Sequence, residues 1–411
     1  MADSGYPKKG EVIHASDVDK TFVGVATSKS ISDSWTLHAV NLIRRNDGTV
    51  PAIGYVTGSL DESTPGAGFV TVGMTKSSLQ TLADEYHTHT ASDFTELSDW
   101  RIRTDASNTK DLVFGDLYHD KWYLVPDSKF MNNSSINSIC YGNGKFVAVG
   151  SSGKMAYSYD GVNWTSVSDS KFGSSTIYGI CYGNGTYVAV GSSGKMAYSY
   201  DGVNWTAVTD SRFGTTYICN VCYGNGKFVA VGDGGKMAYS SDGITWTSVS
   251  DSEFNADTSI KGICYGNGKF VAVGYSMDMY NHGGRMSYSS DGITWTRVTD
   301  SRFGTSNIYS VCYGNGKFVA VGSEARMSYS SDGVTWDTTA SSGIGLIYGV
   351  CYGNGNFVAV GNGGKIDYSS DVINWTLVSD SAFGDSYINS VCYGNGKFVA
   401  VGSDGKISYA I

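Results

Sequence analysis

The C-terminal part of the chain repeats one pattern of apolar and polar positions. Each unit begins with a short apolar run, passes through Gly-Asn-Gly into a second apolar run, and continues through two further short runs separated by polar turns; in the first copy these are 136–141, 145–150, 154–158 and 164–167. Asn-Gly between apolar runs is the strongest local signal of a β-hairpin, because both central residues of a type I′ turn need positive φ. The pattern predicts four short strands per unit, named a to d in chain order.

The unit occurs seven times. The cysteine of each Cys-Tyr-Gly-Asn-Gly marks it: Cys140, Cys181, Cys222, Cys264, Cys312, Cys351 and Cys392, at spacings of 41, 41, 42, 48, 39 and 41 residues. A period of roughly 40 to 45 residues with four β-runs is typical of a β-propeller. Strand b is apolar on both faces, as expected of a sheet packed between two others. The sequence therefore predicts an all-β, seven-bladed β-propeller of four-stranded blades.

Six of the copies carry Ser-x-Asp-Gly-x-x-Trp between strands c and d, with Val372 replacing the glycine in the sixth. In the first copy these residues are Ser158, Asp160, Gly161 and Trp164. The motif resembles the Asp-box, or BNR, repeat of sialidases and other propellers. In such a turn the Asp side chain accepts backbone N–H bonds, Gly tolerates positive φ and Trp packs between blades. The resemblance implies that these turns are scaffold and lie away from the ligand-binding face.

The seventh copy has strands a to c but no strand d. Upstream, residues 118–130 align with 368–383, the strand d region of the sixth copy, once three turn residues are deleted. Residues 121–125 are therefore predicted to complete the last blade, which removes the open sheet edge. The domain prediction is a small β-rich attachment module at 1–75, a helical or extended neck at 76–114, and the propeller at 115–411.

Before the propeller the chain shows no repeats. Strands are predicted at 21–27, 35–44, 51–57 and 68–73, and a short helix at 77–86. The segment that follows, HTHTASDFTEL from His87 to Leu97, resembles one common in tail fibres and receptor-binding proteins of tailed bacteriophages. That resemblance implies a homotrimer in which His87 and His89 of three chains offer six nitrogens to a transition-metal ion on the trimer axis. The alternative is a polar surface pair without metal.

Composition excludes several classes of partner and cofactor. The 411 residues carry a net charge of −9, which argues against nucleic acid and anionic membranes. No run approaches the roughly 20 apolar residues of a membrane span, and no secretory signal opens the chain. Seven of the eight cysteines share one repeat position and are predicted to be small buried hydrophobes. Cys219-x-x-Cys222 lacks the second pair of a zinc site. No cofactor is expected in the propeller, and no membrane insertion.

A hydrolase is disfavoured by the same sequence. The resemblance to sialidases would require three converging arginines, a tyrosine backed by a glutamate, and an aspartic acid. Of the five propeller arginines, four occupy repeat positions that hold basic residues in other copies: Arg212, Arg285, Arg302 and Arg326. Only Glu253 and Glu324 are glutamates there, so paired-carboxylate chemistry would fall to turn aspartates. The sequence therefore favours a binding protein that is not an enzyme.

Two columns of the repeat vary while their surroundings are copied. The residue after the isoleucine that opens strand a is Asn137, Tyr178, Cys219, Lys261, Tyr309, Tyr348 and Asn389; the residue before it is Ser135, Thr176, Tyr217, Ser259, Asn307, Leu346 and Tyr387. Both columns are predicted to ring the channel mouth on the face opposite the Ser-x-Asp turns. Tyr and Asn suit adaptable recognition surfaces. Drift in exposed loops is the alternative.

The fourth copy has a longer connection between strands b and c. From Gly274 to Arg285 it exceeds its counterpart in the third copy, Gly232 to Lys236, by seven residues. It is predicted to overhang the ring and to bind ligand through Tyr275, Met277, Asp278, Met279, Tyr280 and His282. Tyr, Met and His give amphipathic contact area. The alternative is a tolerated surface insertion, because lengthening a loop costs little.

Together these features predict a virion tail protein. In this interpretation the propeller is the head of a tail-fibre or receptor-binding protein that binds a host cell-surface glycan or protein. The first module would attach to other tail or baseplate proteins. Two alternatives remain: a bacterial lectin-like adhesion protein that belongs to no virion, and a glycan hydrolase of the Asp-box type.

Overall fold

The computed structural model describes residues 121–131, 133–278, 282–339 and 342–410, together with six short strands between residues 12 and 113. The chain divides into two compact units, Met1–Tyr118 and His119–Ile411. In the first unit Val12–His14, Lys110–Val113, Arg101–Thr104 and Phe69–Thr71 form one sheet in that order, and Trp35–Leu37 pairs with Val56–Gly58. The predicted strand 21–27, the helix 77–86 and the histidine pair lie outside the described residues.

The second unit contains seven four-stranded antiparallel sheets, so the prediction of a seven-bladed propeller is confirmed. Strand a spans Ile136–Gly142, Ile177–Gly183, Ile218–Gly224, Thr258–Gly266, Ile308–Gly314, Ile347–Gly353 and Ile388–Gly394. Strand b spans Lys145–Gly150, Thr186–Gly191, Lys227–Gly232, Lys269–Ser276, Lys317–Gly322, Asn356–Gly361 and Lys397–Gly402. Neighbouring a strands lie side by side around the ring, from the last blade to the first, so they surround its axis.

The outer strands are shorter. Strand c spans Met155–Ser158, Met196–Ser199, Met237–Ser240, Gly283–Ser289, Met327–Ser330, Ile366–Ser369 and Ile407–Ala410. Strand d spans Thr165–Ser166, Thr206–Ala207, Thr247–Ser248, Thr296–Arg297, Asp337–Thr338, Thr376–Leu377 and, for blade 7, Tyr123–Leu124. Single 3-10 turns join strands b and c at Ser151–Gly153, Ser192–Gly194, Asn362–Gly364 and Ser403–Gly405.

The ring closes as the sequence predicts. Tyr123 pairs with Tyr409 and Leu124 with Ser408, and the N–H of Val125 donates to the carbonyl of Ile407 at 2.8 Å. Blade 7 therefore takes its outermost strand from the segment that precedes blade 1. The edge of strand c, Ile407–Ala410, is thereby paired, which removes a template for aggregation.

The core lies between the blades. Seven clusters of buried side chains each combine residues of two neighbouring blades, and the seventh junction joins the last blade to the first: Phe146 and Trp164 of blade 1 pack with Val399 and Val401 of blade 7. Strand b is buried on both faces in every blade. This explains why its sequence shows no alternation of apolar and polar residues.

The glycine that ends each strand a is covered by a tyrosine side chain of the next blade. A Cβ built on Gly142 would overlap the ring of Tyr182 in the next blade, and the same holds at every junction through Gly394 and Tyr141, where blade 7 meets blade 1. Only glycine leaves room for the neighbour's ring at this point. The first glycine of Cys-Tyr-Gly-Asn-Gly, which ends strand a, is thus required by the next blade, while the second, Gly144 in blade 1, has the positive φ of the turn.

The Ser-x-Asp turns are stabilised from within. In blade 1 the Oδ1 of Asp160 accepts the backbone N–H groups of Val162 and Asn163, both at 2.8 Å, and the Oγ of Ser158 accepts that of Gly161 at 2.9 Å. The backbone N–H bonds to these turn carboxylates hold their pKa values below the usual range although partial burial acts in the opposite direction. The turns act as scaffold, as expected.

The two faces of the ring differ. One face, called the turn face, carries the Asn-Gly turns and the Ser-x-Asp turns; Nζ of Lys145 donates to the carbonyl of Asp201 there at 2.7 Å. The opposite face, called the crossing face, carries the b-to-c connections and the crossings from strand d to the next strand a. The N–H of Ser151 donates to the carbonyl of Ser135 on this face at 2.9 Å.

Candidate ligand-binding face

A β-bulge opens strand a in all seven blades, and the residue in it is the variable residue after the isoleucine. In blade 1, Ile136 lies opposite Gly150 and Ser138 opposite Val149, which leaves Asn137 as the extra residue. The same register shift recurs in the other six blades. A bulge residue is left out of the ladder and its side chain is re-aimed, which is common at barrel rims and beside binding sites.

Four tyrosines form a continuous arc on the crossing face of blades 4 to 7. Ring centroids are 5.9 Å apart for Tyr275 and Tyr309, 5.8 Å for Tyr309 and Tyr348, and 6.1 Å for Tyr348 and Tyr387. These distances lie in the range of favourable aromatic pairs. Tyr387 is 53% exposed, while the other three are half-buried. We call this group the tyrosine arc.

Burial raises the pKa values of Tyr275 and Tyr348 above the usual tyrosine range. Both phenols therefore keep their protons at neutral pH. Each can donate as well as accept a hydrogen bond. The arc presents neutral hydroxyl groups beside apolar ring surface, a combination suited to ligands that have both kinds of surface.

The remaining bulge residues divide into three further groups: Tyr178, the two asparagines, and Cys219 with Lys261. Tyr178 lies 5.9 Å from Tyr217 between ring centroids, and Tyr217 is 48% exposed. The two asparagines instead join blades: Nδ2 of Asn389 donates to the carbonyl of Ile136 at 3.0 Å, and Nδ2 of Asn137 to that of Ile177 at 2.8 Å. Their amide N–H groups are engaged by the next blade, so the arc and the tyrosine pair carry the exposed aromatic surface.

A polar cluster separates the tyrosine pair from the arc at the junction of blades 3 and 4. Oδ1 of Asp233 accepts a hydrogen bond from the hydroxyl of Ser259, and lies 3.5 Å from Sγ of Cys219 and 3.6 Å from Nζ of Lys261. Burial raises the pKa of the Cys219 thiol to about 11, and the carboxylate of Asp233 adds to this effect. Cys219 is therefore an unreactive thiol at neutral pH.

The long connection of blade 4 is partly sheet. Tyr275 pairs with Gly284 and Ser276 with Gly283, so strands b and c extend beyond those of other blades, and Thr258 and Ser259 lengthen strand a beside them. The prediction of a loop throughout Tyr275–Arg285 is wrong at both ends, because the ladder continues into the insertion. A three-stranded extension stands on the crossing face instead.

The tip of this extension lies near the crossing of its own blade. The N–H of Met277 donates to the carbonyl of Asp257 at 2.8 Å, and its side chain is 55% exposed. Asp278 is half-buried and His282 exposed. Met279 and Tyr280 lie outside the described residues. At its base the extension joins the arc through Tyr275, so the two variable features of the sequence do meet.

Basic residues of the propeller are largely held by the scaffold. Nε of Arg212 donates to the carbonyl of Trp246 at 3.0 Å, and Nε of Arg302 to that of Trp336 at 2.8 Å. Nη1 of Arg326 donates to the carbonyl of Phe303 at 3.1 Å, the same kind of bond that Lys195 makes to Phe172. The column of Lys195 and Arg326 is basic in all seven copies, which this repeated bond explains, whereas the column of Arg212 and Arg302 also holds Glu253 and Ala382.

The described part of the chain contains no disulfide and no candidate metal site. All eight cysteines are free; Cys312 is buried, while the other six of the repeat column are half-buried because strand a borders the axis. The prediction of small buried hydrophobes therefore holds for Cys312, while the other six are only partly covered. Among the described residues no group of three His, Cys, Asp or Glu side chains could hold a metal ion. No helix there is long and apolar enough to cross a membrane.

Sequence reasoning missed Asp233. It occupies the column that follows the last glycine of strand b, where the copies have Ser151, Ser192, Asp233, Tyr275, Ser323, Asn362 and Ser403. This third variable column meets the other two on the crossing face, as the contact of Asp233 with Ser259 shows. The departure from serine in blades 3, 4 and 6 was the available signal.

Neither the protein-family models nor the curated proteins include a match to this chain. Solved propellers are similar in structure. YCF48 from Cyanidioschyzon merolae is 16% identical with a TM-score of 0.55, over 70% of this chain and 98% of that one. A structure of YCF48 bound to D1 peptide is 15% identical, at 0.55, over 71% and 94%. The WD40 propeller domain of Doa1 is 13% identical, at 0.54, over 70% and 95%. These likenesses support the β-propeller fold and, at such identities, the fold alone.

Proposed function

We propose that this chain is a tail-fibre or receptor-binding protein of a tailed bacteriophage and that its propeller binds a host cell-surface glycan on the crossing face. The observation that carries the ligand-binding part is the tyrosine arc, in which Tyr275, Tyr309, Tyr348 and Tyr387 make one continuous aromatic surface across four blades. Aromatic rings with hydroxyl groups suit sugars, which have apolar faces and polar edges.

The bacteriophage assignment rests on the resemblance of the HTHTASDFTEL segment. In this proposal the first module attaches to other tail or baseplate proteins, the protein is a homotrimer of the virion tail, and His87 and His89 hold a transition-metal ion. Replacing both histidines with alanine should lower the metal content of the purified protein, as measured by elemental analysis. We propose binding without catalysis, since four of the five propeller arginines are bonded to backbone carbonyls.

Substitutions taken from other copies of the repeat test the proposal. Asparagine already stands in the column of Tyr309 and Tyr348, so replacing both with Asn should leave the fold intact. The full-length double variant should bind host cells and arrayed glycans at least about tenfold more weakly, which corresponds to about 1.4 kcal/mol. Binding isotherms to cells, with melting temperature as the folding check, measure this.

The turn face offers a matched control. Tyr159 and Tyr200 are 61% and 62% exposed there, in a column where the other Ser-x-Asp turns have serine. Replacing both with Ser removes two exposed tyrosines and should leave binding unchanged. Loss of binding in this control, with full binding by the Tyr309 and Tyr348 variant, would place the ligand on the wrong face for our proposal.

A further inference from the structure

The polar cluster contains a charged pair that joins two blades. Asp233 comes from blade 3 and Lys261 from the bulge of blade 4, and their side chains are 28% and 31% exposed. Nζ of Lys261 lies 3.6 Å from Oδ1 of Asp233, 3.6 Å from Sγ of Cys219 and 5.8 Å from the ring centroid of Tyr275. The cluster therefore adjoins the first ring of the tyrosine arc.

The contacts that the ammonium group of Lys261 makes with Asp233 and Cys219 are long. A normal N–H···O bond is about 2.7 to 3.2 Å long, so 3.6 Å to Asp233 is too long for one. Among the described residues, Nζ makes one hydrogen bond, to Sγ of Cys219 at 3.6 Å. Burial lowers the pKa of Lys261, but Cys219, Tyr275 and Asp233 outweigh it and the pKa is raised, so the group is charged at neutral pH. Sulfur is a weak acceptor, so the three N–H donors of this ammonium group are poorly used within the protein.

Closure of the ring does not require this charge. At the same junction Nδ2 of Asn220 donates to the carbonyl of Lys261 at 3.3 Å. Two other junctions close through neutral asparagine amides of the same kind, at Asn137 and Asn389. The charged pair is therefore additional to what joins the blades, and its unused donors point to a ligand.

We propose that Lys261 and Asp233 form a subsite for a neutral pyranose, with two neighbouring sugar hydroxyls bridging the ammonium and the carboxylate and the apolar sugar face against Tyr275. A hydroxyl both donates and accepts, so it satisfies either partner. An acidic sugar is disfavoured, because Asp233 lies within 3.6 Å of the only cation in the cluster. This subsite rests on the proposed glycan binding of the same face and names the class of sugar.

Two substitutions borrowed from other blades test the subsite in the full-length protein. Asp233→Ser and Lys261→Asn introduce residues that stand at the same columns elsewhere in the ring. The probes are neutral hexose polysaccharides, namely mannan, glucan and galactan, arrayed beside polymers of uronic and sialic acids. We expect the wild type to bind a neutral probe, each variant to bind it at least about tenfold more weakly, and salt to have little effect, since neutral ligands are not screened.

Lys236→Ala is the control, because Lys236 is a rim lysine whose Nζ is already bonded to Thr216 at 2.9 Å and to the carbonyl of Phe213 at 3.3 Å. It should bind like the wild type. If both variants, Asp233→Ser and Lys261→Asn, are folded and bind like the wild type, the subsite is refuted but the proposed glycan binding is not. If Asp233→Ser bound an acidic probe more tightly than the wild type does, and salt weakened that binding, the ligand would be anionic and the assignment of a neutral sugar would be overturned. No binding of the wild type to glycans or host cells would refute the proposed function itself.

Discussion

Asp367 is the residue that fits its place in the repeat least well. Its column on strand c otherwise holds Ala156, Ala197, Ala238, Ser287, Ser328 and Ser408. The side chain is only 1% exposed; Oδ2 accepts the hydroxyl of Ser342 and the N–H of Gly343, the latter at 3.0 Å, while Oδ1 has no partner among the described residues. Burial raises the pKa of Asp367 despite these bonds and the charge of Lys365.

This residue predicts a pH dependence of stability. The folded protein keeps the proton of Asp367 at pH values where the unfolded chain has lost it, so stability falls as pH rises from about 4 through the raised pKa. Asp367→Asn should remove that loss and stabilise the protein at neutral pH by about 1 to 3 kcal/mol, the usual cost of a buried group without a partner. Melting curves of variant and wild type from pH 3 to 8 measure the difference.

Asp371 is the control, because its pKa shift is opposite in direction to that of Asp367. Backbone hydrogen bonding in its turn, first from Asn374, lowers the pKa of Asp371. Its stabilisation is present at neutral pH and is lost as pH falls through the lowered pKa. The melting temperature of Asp371→Asn should therefore be lower than that of the wild type at pH 7, and the two should approach each other in acid. A difference between Asp367→Asn and the wild type that is the same at every pH would contradict the assignment.

At the scale of the element, the end of strand a depends on the next blade. The tyrosine of each blade lies where the Cβ of the preceding blade's glycine would be. Gly394→Ala should therefore displace Tyr141 and destabilise the protein by about 1 to 3 kcal/mol, as overpacking does. Thermal or urea unfolding measures the loss.

Gly345→Ala serves as the comparison, because the nearest atom to its added Cβ is 3.9 Å away. It should change stability little. Tyr141→Ala combined with Gly394→Ala should lose less than the sum of the two single changes, because the first removes the clash that the second creates. Additive losses would show that contact with Tyr141 is not what requires a glycine at this position.

The strands were predictable from sequence because every copy repeats the same local signals. Asn-Gly turns and apolar runs placed strand b at 145–150, which is where it lies. The bulge at Asn137 was not predictable, since it is a property of the register between two strands. The meeting of Asp233 with Ser259 was missed for a similar reason: it joins two copies across a blade junction, and the repeat pattern describes contacts within a copy. The variable columns were predicted to lie opposite the Ser-x-Asp turns, and they do lie on the crossing face.

At the scale of the whole molecule, closure depends on two segments from opposite ends of the propeller. Strand Tyr123–Leu124 covers the edge of Ile407–Ala410. A chain that begins at Asp127 lacks this cover, so it should melt at lower temperature and aggregate through the exposed edge. A chain that begins at Gly115 keeps the strand and is the matched comparison. Melting temperature and light scattering measure both; equal values would contradict a stabilising role for the closing strand.

The same closure sets an order of events during synthesis. Tyr123 leaves the ribosome before any blade exists, and its partner Tyr409 follows only when the rest of the ring has been made. At about 5 to 20 residues per second, the wait is on the order of tens of seconds. Throughout that time the closing strand has no sheet to join. Blades 1 to 6 do not depend on it, because each is built from four consecutive strands of its own. A nascent chain that stalls before strand c of blade 7 would therefore be an open arc with unpaired edges at both ends, the state in which this protein is most in need of a chaperone.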